Sequence, residues 1–337
     1  MSSAAERKNV VQSLRFSGQS ALSAWSIREH IEQNGWSAYD HWLSQELVLT
    51  FQSLRALAEA FPTWQHRVGP GRPPIDERTH LIAMFLRQYL RASFRKVESF
   101  LRMAKGFFGI EHVPDHNTMS KMNRSRRFTI LLRRFHQFLL EPLPARDVIV
   151  ATDATGFSNR IQQWRTTDHG LRAWEGDWLK LHAAVDVPSL LFLSMVVTRS
   201  NVHESRRFED VWMALPDNIH PVRSLADAAY TGERCLQVAR DHGATPHHAI
   251  KSNAVHVAQP QTLYQGLVNF TLHWPNRSKA LRGPRALVET AFSCLKTRFG
   301  HRLGCRKKRG RTNEVLTKTI AHNVSVLTAR AFISQAE

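Results

Sequence analysis

Three acidic residues have the type and position that metal chemistry requires. Asp153 ends the apolar run 147–152, and Asp227 ends a second apolar run, 222–226; Glu289 lies in a stretch with helical spacing. Carboxylates are ligands that Mg²⁺ prefers, and two-metal phosphodiester chemistry needs anionic oxygens that hold two ions roughly 3.5–4 Å apart. We therefore take Asp153, Asp227 and Glu289 as candidate catalytic residues and metal ligands, with Mg²⁺ as the expected cofactor and Mn²⁺ as an alternative.

Each acid also has a structural interpretation when it is taken alone. Asp153 then starts a turn at Ala-Thr-Gly, and Asp227 caps the segment that follows it. On a helix, Arg285, Glu289 and Lys296 fall within about 40° of one another, which fits a solvated salt-bridged stripe. It equally fits a catalytic carboxylate framed by two DNA-contacting cations, because Arg and Lys bind phosphate oxygens.

The chain is strongly basic. It has 337 residues with 46 Lys and Arg against 28 Asp and Glu, a formal charge of +18. Such a surface favours polyanions through counterion release, and nucleic acid is the commonest of these. An anionic membrane would exploit the same charge, but the longest apolar stretch, 190–197, is far below the roughly 18 residues that span a bilayer.

The remaining composition indicates an intracellular protein. The first 20 residues mix charged and polar types and lack the apolar core of a signal peptide. Three cysteines without CxxC spacing argue against a zinc site or a disulfide framework. We therefore expect a soluble, cytoplasmic protein that acts on nucleic acid and has no membrane partner.

Two segments precede the acids. Residues 1–70 predict a partly disordered start followed by a helix, whose apolar residues recur from Leu47 to Phe61. The sequence Gly-Pro-Gly-Arg-Pro-Pro at 69–74 interrupts the helix and indicates a linker. Residues 71–145 predict a helical DNA-binding region of the helix-turn-helix type.

Local signals support helices within 71–145. Asp76 and Ser93 have the type and position of helix caps. A third helix is expected to begin near Thr118, after Val-Pro-Asp-His-Asn.

Two basic segments supply the predicted DNA contacts. The first, within 116–140, has six Lys or Arg and no acid, and the second follows the Glu289 stretch. The alternative is an ordinary solvated basic surface, whereas contact with the DNA backbone would be independent of sequence. The predicted contacts are Lys121, Arg124, Arg126 and Arg127 in the first segment, and Arg306, Lys307, Lys308 and Arg309 in the second.

From residue 146 the pattern changes to α/β. Apolar runs predict five strands, with Pro188 and Ser189 between the second and third run indicating an antiparallel hairpin. Residues Glu204–Leu215 and Gly232–His242 are the helix candidates. This order predicts one domain over 146–337 with a mixed five-stranded sheet, as in the ribonuclease-H-like fold. The runs are 147–152, 179–187, 190–198, 222–226 and 247–251.

Several blocks around these residues resemble the catalytic domain of insertion-sequence DDE transposases. Arg285-x3-Glu289-x6-Lys296 is similar to the Tyr-x2-Arg-x3-Glu-x6-Lys signature of that family. The region 71–118 resembles the helical region that precedes such domains. The other supporting blocks are Ala-Thr-Asp-Ala-Thr-Gly (151–156), Trp-Leu-Lys-Leu-His-Ala-Ala-Val-Asp (178–186), Val-Thr-Arg-Ser-Asn-Val-His-Glu-Ser (197–205) and Leu-Ala-Asp-Ala-Ala-Tyr (225–230).

The resemblance implies a ribonuclease-H-like fold and metal-dependent DNA transposition. It makes Asp153, Asp227 and Glu289 the acidic triad, with Arg285 and Lys296 as DNA contacts. The implied substrate is double-stranded DNA, both terminal inverted repeats and target, and the implied assembly is a homodimer in the synaptic complex. The alternatives are an inactive or domesticated DNA-binding protein and a metal-dependent nuclease without strand transfer.

Three positions depart from the pattern of that family. Arg282 stands where the signature has Tyr, and Ala228 and Ala229 follow Asp227 where a basic residue and Gly are common. Glu204 stands where an Asp after His is common, and sequence reasoning assigns it no catalytic role.

Overall fold

The computed structural model describes residues 24–63, 75–159, 163–166, 172–175 and 178–336. The predicted linker at 69–74 and the predicted disordered start lie outside these residues. Within the described part of the chain, no helix combines the length and apolar character needed to cross a membrane.

Helices dominate both ends of the chain, and the strands lie between them. Three single turns of 3₁₀-helix occur at Glu204–Arg207, Ala228–Tyr230 and Gly283–Arg285. The helices are α1 (Ala24–Ala60), α2 (Glu77–Tyr89), α3 (Phe94–Ala104), α4 (His116–Asn123), α5 (Arg126–Leu140), α6 (Phe208–Trp212), α7 (Glu233–Asp241), α8 (Leu263–His273), α9 (Pro275–Arg282), α10 (Ala286–Phe299) and α11 (Lys308–Ala336). The strands are β1 (Arg146–Asn159), β2 (Gln163–Thr166), β3 (Arg172–Glu175), β4 (Leu179–Asp186), β5 (Phe192–Arg199), β6 (Ile219–Ala226), β7 (Thr245–Pro246) and β8 (Arg302–Leu303).

Side-chain caps start the helices of the N-terminal region. The carboxylate of Asp76 accepts from the amide of Arg78 before α2, and the hydroxyl of Ser93 accepts from the amide of Lys96 before α3. Both predicted caps are confirmed. The third helix begins at His116 rather than near Thr118, because Asp115 accepts from two amides of its first turn.

The main sheet has the order β5-β4-β1-β6-β7. Strands β5, β4 and β1 pair antiparallel, whereas β1, β6 and β7 pair parallel. The predicted hairpin between the second and third apolar runs is the β4–β5 connection. This mixed sheet with flanking helices confirms the predicted α/β domain with a mixed sheet and the predicted helical N-terminal region.

The last predicted strand is wrong in its position. Strand β7 covers Thr245–Pro246 rather than 247–251. Beyond Pro246 the chain keeps two isolated bonds to β6, from the amide of His247 to Ser224 and from the amide of Ala249 to Ala226. The apolar run therefore follows β6 without forming a regular ladder.

Two hydrophobic cores cover the two faces of the sheet. Alternation along β1 sends Val148 and Val150 into one core with Trp212 of α6. It sends Ala151 and Phe157 into the other core, which continues into helices α1 to α5 and into α10 and α11. The N-terminal helices and the sheet consequently share one continuous apolar interior.

Candidate active site

Register places Asp153 and Asp227 side by side. Thr152 of β1 pairs with Ala226 of β6 in the parallel ladder, so the next residue on each strand is an aspartate. Neighbouring strands lie about 4.8 Å apart, which brings the two carboxylates to the same edge. The turn after β6 fixes Asp227, because its Oδ1 accepts from the amide of Ala229 at 2.9 Å.

Glu204 joins these two aspartates. Carboxylate oxygens of Asp153, Glu204 and Asp227 all lie within 4.8 Å of one another. Sequence reasoning gave Glu204 no catalytic role, but a topological signal was present. Since β5 is antiparallel to β4 and β4 is antiparallel to β1, β5 ends at the same edge as Asp153, and Glu204 follows that end.

Lys180 holds Glu204 in place. Its Nζ lies 3.2 Å from Glu204 Oε1 and also donates to the carbonyl of Val202 at 3.3 Å. Gly156 lets the ring of Trp178 pack against β1, because a Cβ at position 156 would lie 2.9 Å from that ring. Lys180 thus contacts Glu204, whereas His182, two residues further along β4, lies 2.9 Å from the hydroxyl of Thr198.

Asp153, Glu204 and Asp227, which we call the acidic cluster, bring three carboxylates close together. Burial raises the pKa of Asp153 to about 6, with further contributions from the charges of Asp227 and Glu204. Burial, followed by the same three acidic charges, raises the pKa of Tyr230 far above its ordinary range. The Tyr230 hydroxyl has no hydrogen-bond partner within the described residues. Buried polar groups ordinarily have such a partner, so this hydroxyl is available to donate a hydrogen bond to a group bound near the acidic cluster.

Glu289 lies next to the acidic cluster and is linked to it by Arg285. Arg285 Nη1 is 3.5 Å from Asp153 Oδ2, and Nη2 is 3.0 Å from Glu289 Oε1. The Glu289 side chain is 62 % exposed, because it stands in the first turn of α10 and points away from the buried face. Arg285 therefore contacts Asp153 as well as Glu289, and the roles of Arg285 as a DNA contact and of Glu289 as a metal ligand stay predictions.

The donor set fits a divalent metal ion. Three carboxylates supply hard oxygen ligands, and such ligands suit Mg²⁺ or Mn²⁺. Their oxygens converge although like charges repel, and Lys180 and Arg285 neutralise only part of that charge. Asp153, Asp227 and Glu204 are therefore the side chains placed to hold such an ion.

The structure brings the two predicted basic segments together. Asn123 at the end of α4 donates to the carbonyl of Gly310 at 3.2 Å, across 187 residues of sequence. Arg127 is exposed but donates to the buried Glu77 at 2.8 Å, so it also stabilises the helical region. The other seven predicted contacts of these segments are exposed: Lys121, Arg124, Arg126, Arg306, Lys307, Lys308 and Arg309.

Lys296 lies two helical turns beyond Glu289 on α10. Burial lowers the pKa of its ammonium group, which stands 5.9 Å from the centre of the Phe157 ring. Arg282, in the position of the missing tyrosine, donates to the carbonyl of Ser278 at 3.3 Å in the last turn of α9.

Comparisons with known proteins give one family match. The family model described as "Transposase DDE domain" matches residues 144–324, more than half of the chain. No curated protein matches significantly. Among solved structures, "Mos1 transposase paired-end complex with left transposon end" is 12 % identical over 88 % of this chain and 98 % of that chain, with a TM-score of 0.20. The family match is the finding that bears on identity.

Proposed function

The chain belongs to the family of transposase DDE domains, and from that premise we propose how its residues cleave and join DNA. It is a DDE transposase, an enzyme that cuts DNA and transfers the cut strand with the help of divalent metal ions. We propose that it cleaves at the terminal inverted repeats of an insertion sequence and inserts the freed ends into target DNA. We also propose Mg²⁺ as the ion, the cytoplasm as the compartment and a homodimer as the synaptic assembly.

The convergence of three carboxylates at one sheet edge carries this proposal. We assign Asp153 and Asp227 as metal ligands, Glu289 as the third acid of the triad and Glu204 as an additional carboxylate of the same cluster. A divalent metal bound there activates the attacking water or 3′-hydroxyl and stabilises the leaving oxygen. Lys180 orients Glu204, and the amide of Ala154 orients Asp153 by donating to its Oδ1 at 2.7 Å.

Arg285 has a second role in the proposal. Its guanidinium holds Asp153 and Glu289 together, and guanidinium groups bind phosphate in a bidentate manner. When DNA enters, Arg285 exchanges these carboxylates for oxygens of the scissile phosphate. The exchange frees the Glu289 carboxylate at the moment when the substrate arrives.

Substitution of the acids tests the assignment. In Asp153→Asn and Asp227→Asn, cleavage of a duplex that carries the inverted repeat is expected to fall on the order of 10³-fold, because several kcal/mol of transition-state stabilisation are lost. Binding of the duplex without metal should persist. Cleavage at the wild-type rate in either variant would remove the acidic cluster from the reaction.

The two glutamates need a direct comparison. Glu289→Gln is expected to lose as much activity as Asp153→Asn, whereas Glu204→Gln should lose only about 10–100-fold, because Asp153 and Asp227 remain to hold the ion. The reverse order would make Glu204 the third ligand and Glu289 a surface residue.

Joining assays separate this function from its alternatives. Precleaved ends supplied with target DNA and Mg²⁺ should yield joined products from the wild type. Cleavage without joining would indicate a nuclease, and binding without either step would indicate an inactive DNA-binding copy.

A further inference from the structure

A basic cleft of about 850 Å³ separates the helical region from the C-terminal part of the chain. One wall is the turn between α2 and α3 together with the end of α4. The other wall is the end of α10, residues 300–307 and the first turns of α11. The cleft therefore lies where the two predicted basic segments meet.

Positive charge dominates the lining of the basic cleft. Eight Lys or Arg residues line it, against the single acid Glu314. The Glu314 carboxylate is itself engaged, since it accepts from the backbone amides of Gly304 and Cys305 at 2.9–3.1 Å. Four of the predicted DNA contacts are among the eight: Arg124, Lys296, Arg306 and Lys307.

Arg87 gives the basic cleft a buried donor. The residue is only 9 % exposed, and its Nε and Nη1 have no hydrogen-bond partner within the described residues. Its guanidinium lies 4.6 Å from the centre of the Phe94 ring and 3.5 Å from Glu314. A Cβ at Gly304 would come within 2.8 Å of Arg87 Nη2, so glycine leaves room for this side chain.

Arg91 ties the two walls together. It adopts a positive φ of 47° in the turn between α2 and α3, a conformation that is uncommon for residues other than glycine. Its guanidinium donates to the carbonyls of Thr297 and Arg298 at the end of α10. The cleft is thus preformed between the N-terminal helices and the helix that carries Glu289.

Helix α10 connects the basic cleft with the acidic cluster. Arg285 contacts Asp153 at its start, and Lys296 lines the cleft eleven residues later. At 1.5 Å per residue the separation is roughly 16 Å. One strand of B-DNA carries a phosphate every 3.4 Å along the axis, so for a duplex whose axis runs parallel to α10 this separation corresponds to about five nucleotides.

We propose that the basic cleft binds the phosphodiester backbone of the DNA end about five nucleotides from the scissile phosphate. This site rests on the proposed function and goes beyond it by adding Arg87 of α2 to the substrate-binding surface, with Arg91 holding the two walls of the cleft together. The helical region and the catalytic domain both contact the same DNA strand, and the position of the cleft sets the distance between the bound DNA backbone and the acidic cluster.

The salt dependence of binding tests the cleft. Arg124→Gln/Arg306→Gln removes one exposed cation from each wall, and Lys105→Gln/Arg240→Gln is the matched control because both of its side chains are exposed and outside the cleft. Anisotropy of a labelled duplex is measured from 50 to 200 mM salt with EDTA present. The slope of log Kobs against log salt should fall in magnitude by about 2 in the cleft variant, since each phosphate contact contributes about 0.9, and should not change in the control.

An unchanged slope in the cleft variant, or an equal fall in the control, overturns the proposal. If Arg124→Gln/Arg306→Gln does not fold, Arg306→Gln/Lys307→Gln changes exposed side chains of a single wall and gives the same comparison. The measurement needs no catalysis. A failure of the proposed function appears instead as a wild-type protein that binds DNA but never cleaves it.

Phosphate ethylation locates the contact. Ethylation about five nucleotides from the cleaved bond should block binding by the wild type and should no longer block binding by the cleft variant. A variant-sensitive block more than about ten nucleotides away would overturn the proposed spacing.

Discussion

Tyr230 shows how one side chain reflects the chemistry around it. Its ring is buried against Phe208 with ring centres 5.7 Å apart, whereas its hydroxyl lies in the field of three carboxylates without a partner among the described residues. An unsatisfied buried hydroxyl costs about 1–3 kcal/mol. The residue therefore has a stability cost that a catalytic role would explain.

Tyr230→Phe should change stability and activity in opposite directions. The free energy of unfolding is expected to rise by about 1 kcal/mol because the unsatisfied hydroxyl is removed. End cleavage is expected to fall by about five- to tenfold, the effect of one lost hydrogen bond to water or phosphate. Urea denaturation and single-turnover cleavage measure the two changes.

Tyr89→Phe is the matched control. The Tyr89 hydroxyl donates to the carbonyl of Ala321 at 2.7 Å, so its removal should destabilise the fold by about 1 kcal/mol and leave cleavage per folded molecule unchanged. A Tyr230→Phe variant that loses stability as Tyr89→Phe does would contradict a functional role for the Tyr230 hydroxyl.

At the scale of elements, α11 completes the sheet. The β4–β5 ladder shifts register after Ala184, and the backbone of Phe192 then takes partners from a helix. Asn323 of α11 donates Nδ2–H to the carbonyl of Phe192 at 2.8 Å and accepts from its amide at 2.9 Å. The helix thus replaces a missing strand partner at the edge of the sheet.

Asn323→Ala should destabilise the protein by about 1–3 kcal/mol, because it leaves the buried amide of Phe192 unsatisfied, whereas the carbonyl of Phe192 keeps His136 Nε2 at 2.8 Å. Urea denaturation followed by circular dichroism measures the change. Asn276→Ala, on the exposed side of α9, should change stability by less than about 0.5 kcal/mol. Equal effects of the two substitutions would show that α11 does not hold the edge strand.

At the scale of the whole molecule, buried neutral histidines make the fold sensitive to acid. Burial lowers the pKa of His136, His248 and His322 to about 4. The unfolded chain binds these protons near pH 6.5, so each histidine stabilises the fold fully above pH 6.5 and loses that stabilisation as the pH falls toward 4. The molecule should therefore lose several kcal/mol between pH 7 and pH 5.

His322→Gln should flatten this dependence by about 2 kcal/mol between pH 7 and pH 5. Glutamine can still donate to the carbonyl of Leu190, which His322 reaches at 3.0 Å, but it does not titrate. Urea midpoints at the two pH values give the measurement, and the exposed His256→Gln is the control. A dependence as steep in His322→Gln as in the control would contradict the assignment.

Most of the fold could be predicted from local patterns. Asp227 at the end of β6, four of the five predicted strands and two predicted helix caps depend on residues within a few positions of one another. Asp153 was expected at the end of its strand, but β1 continues to Asn159 because residues up to Phe157 pair with β4. Two features could not be predicted. Strand β7 ends early because the residues after Pro246 make only scattered backbone bonds to β6. The β2–β3 hairpin has no strong apolar alternation that would predict its strands.

The sequence by itself determined the basic charge, the family signature and the order of Asp153, Asp227 and Glu289 along the chain. Only the tertiary structure decided which acids meet. It brought Glu204 to the aspartates, placed Arg285 between Asp153 and Glu289, and formed a basic cleft from segments about 180 residues apart. Periodicity fixes which face or end of an element a residue occupies, whereas the packing of elements far apart in the chain decides which side chains share one site.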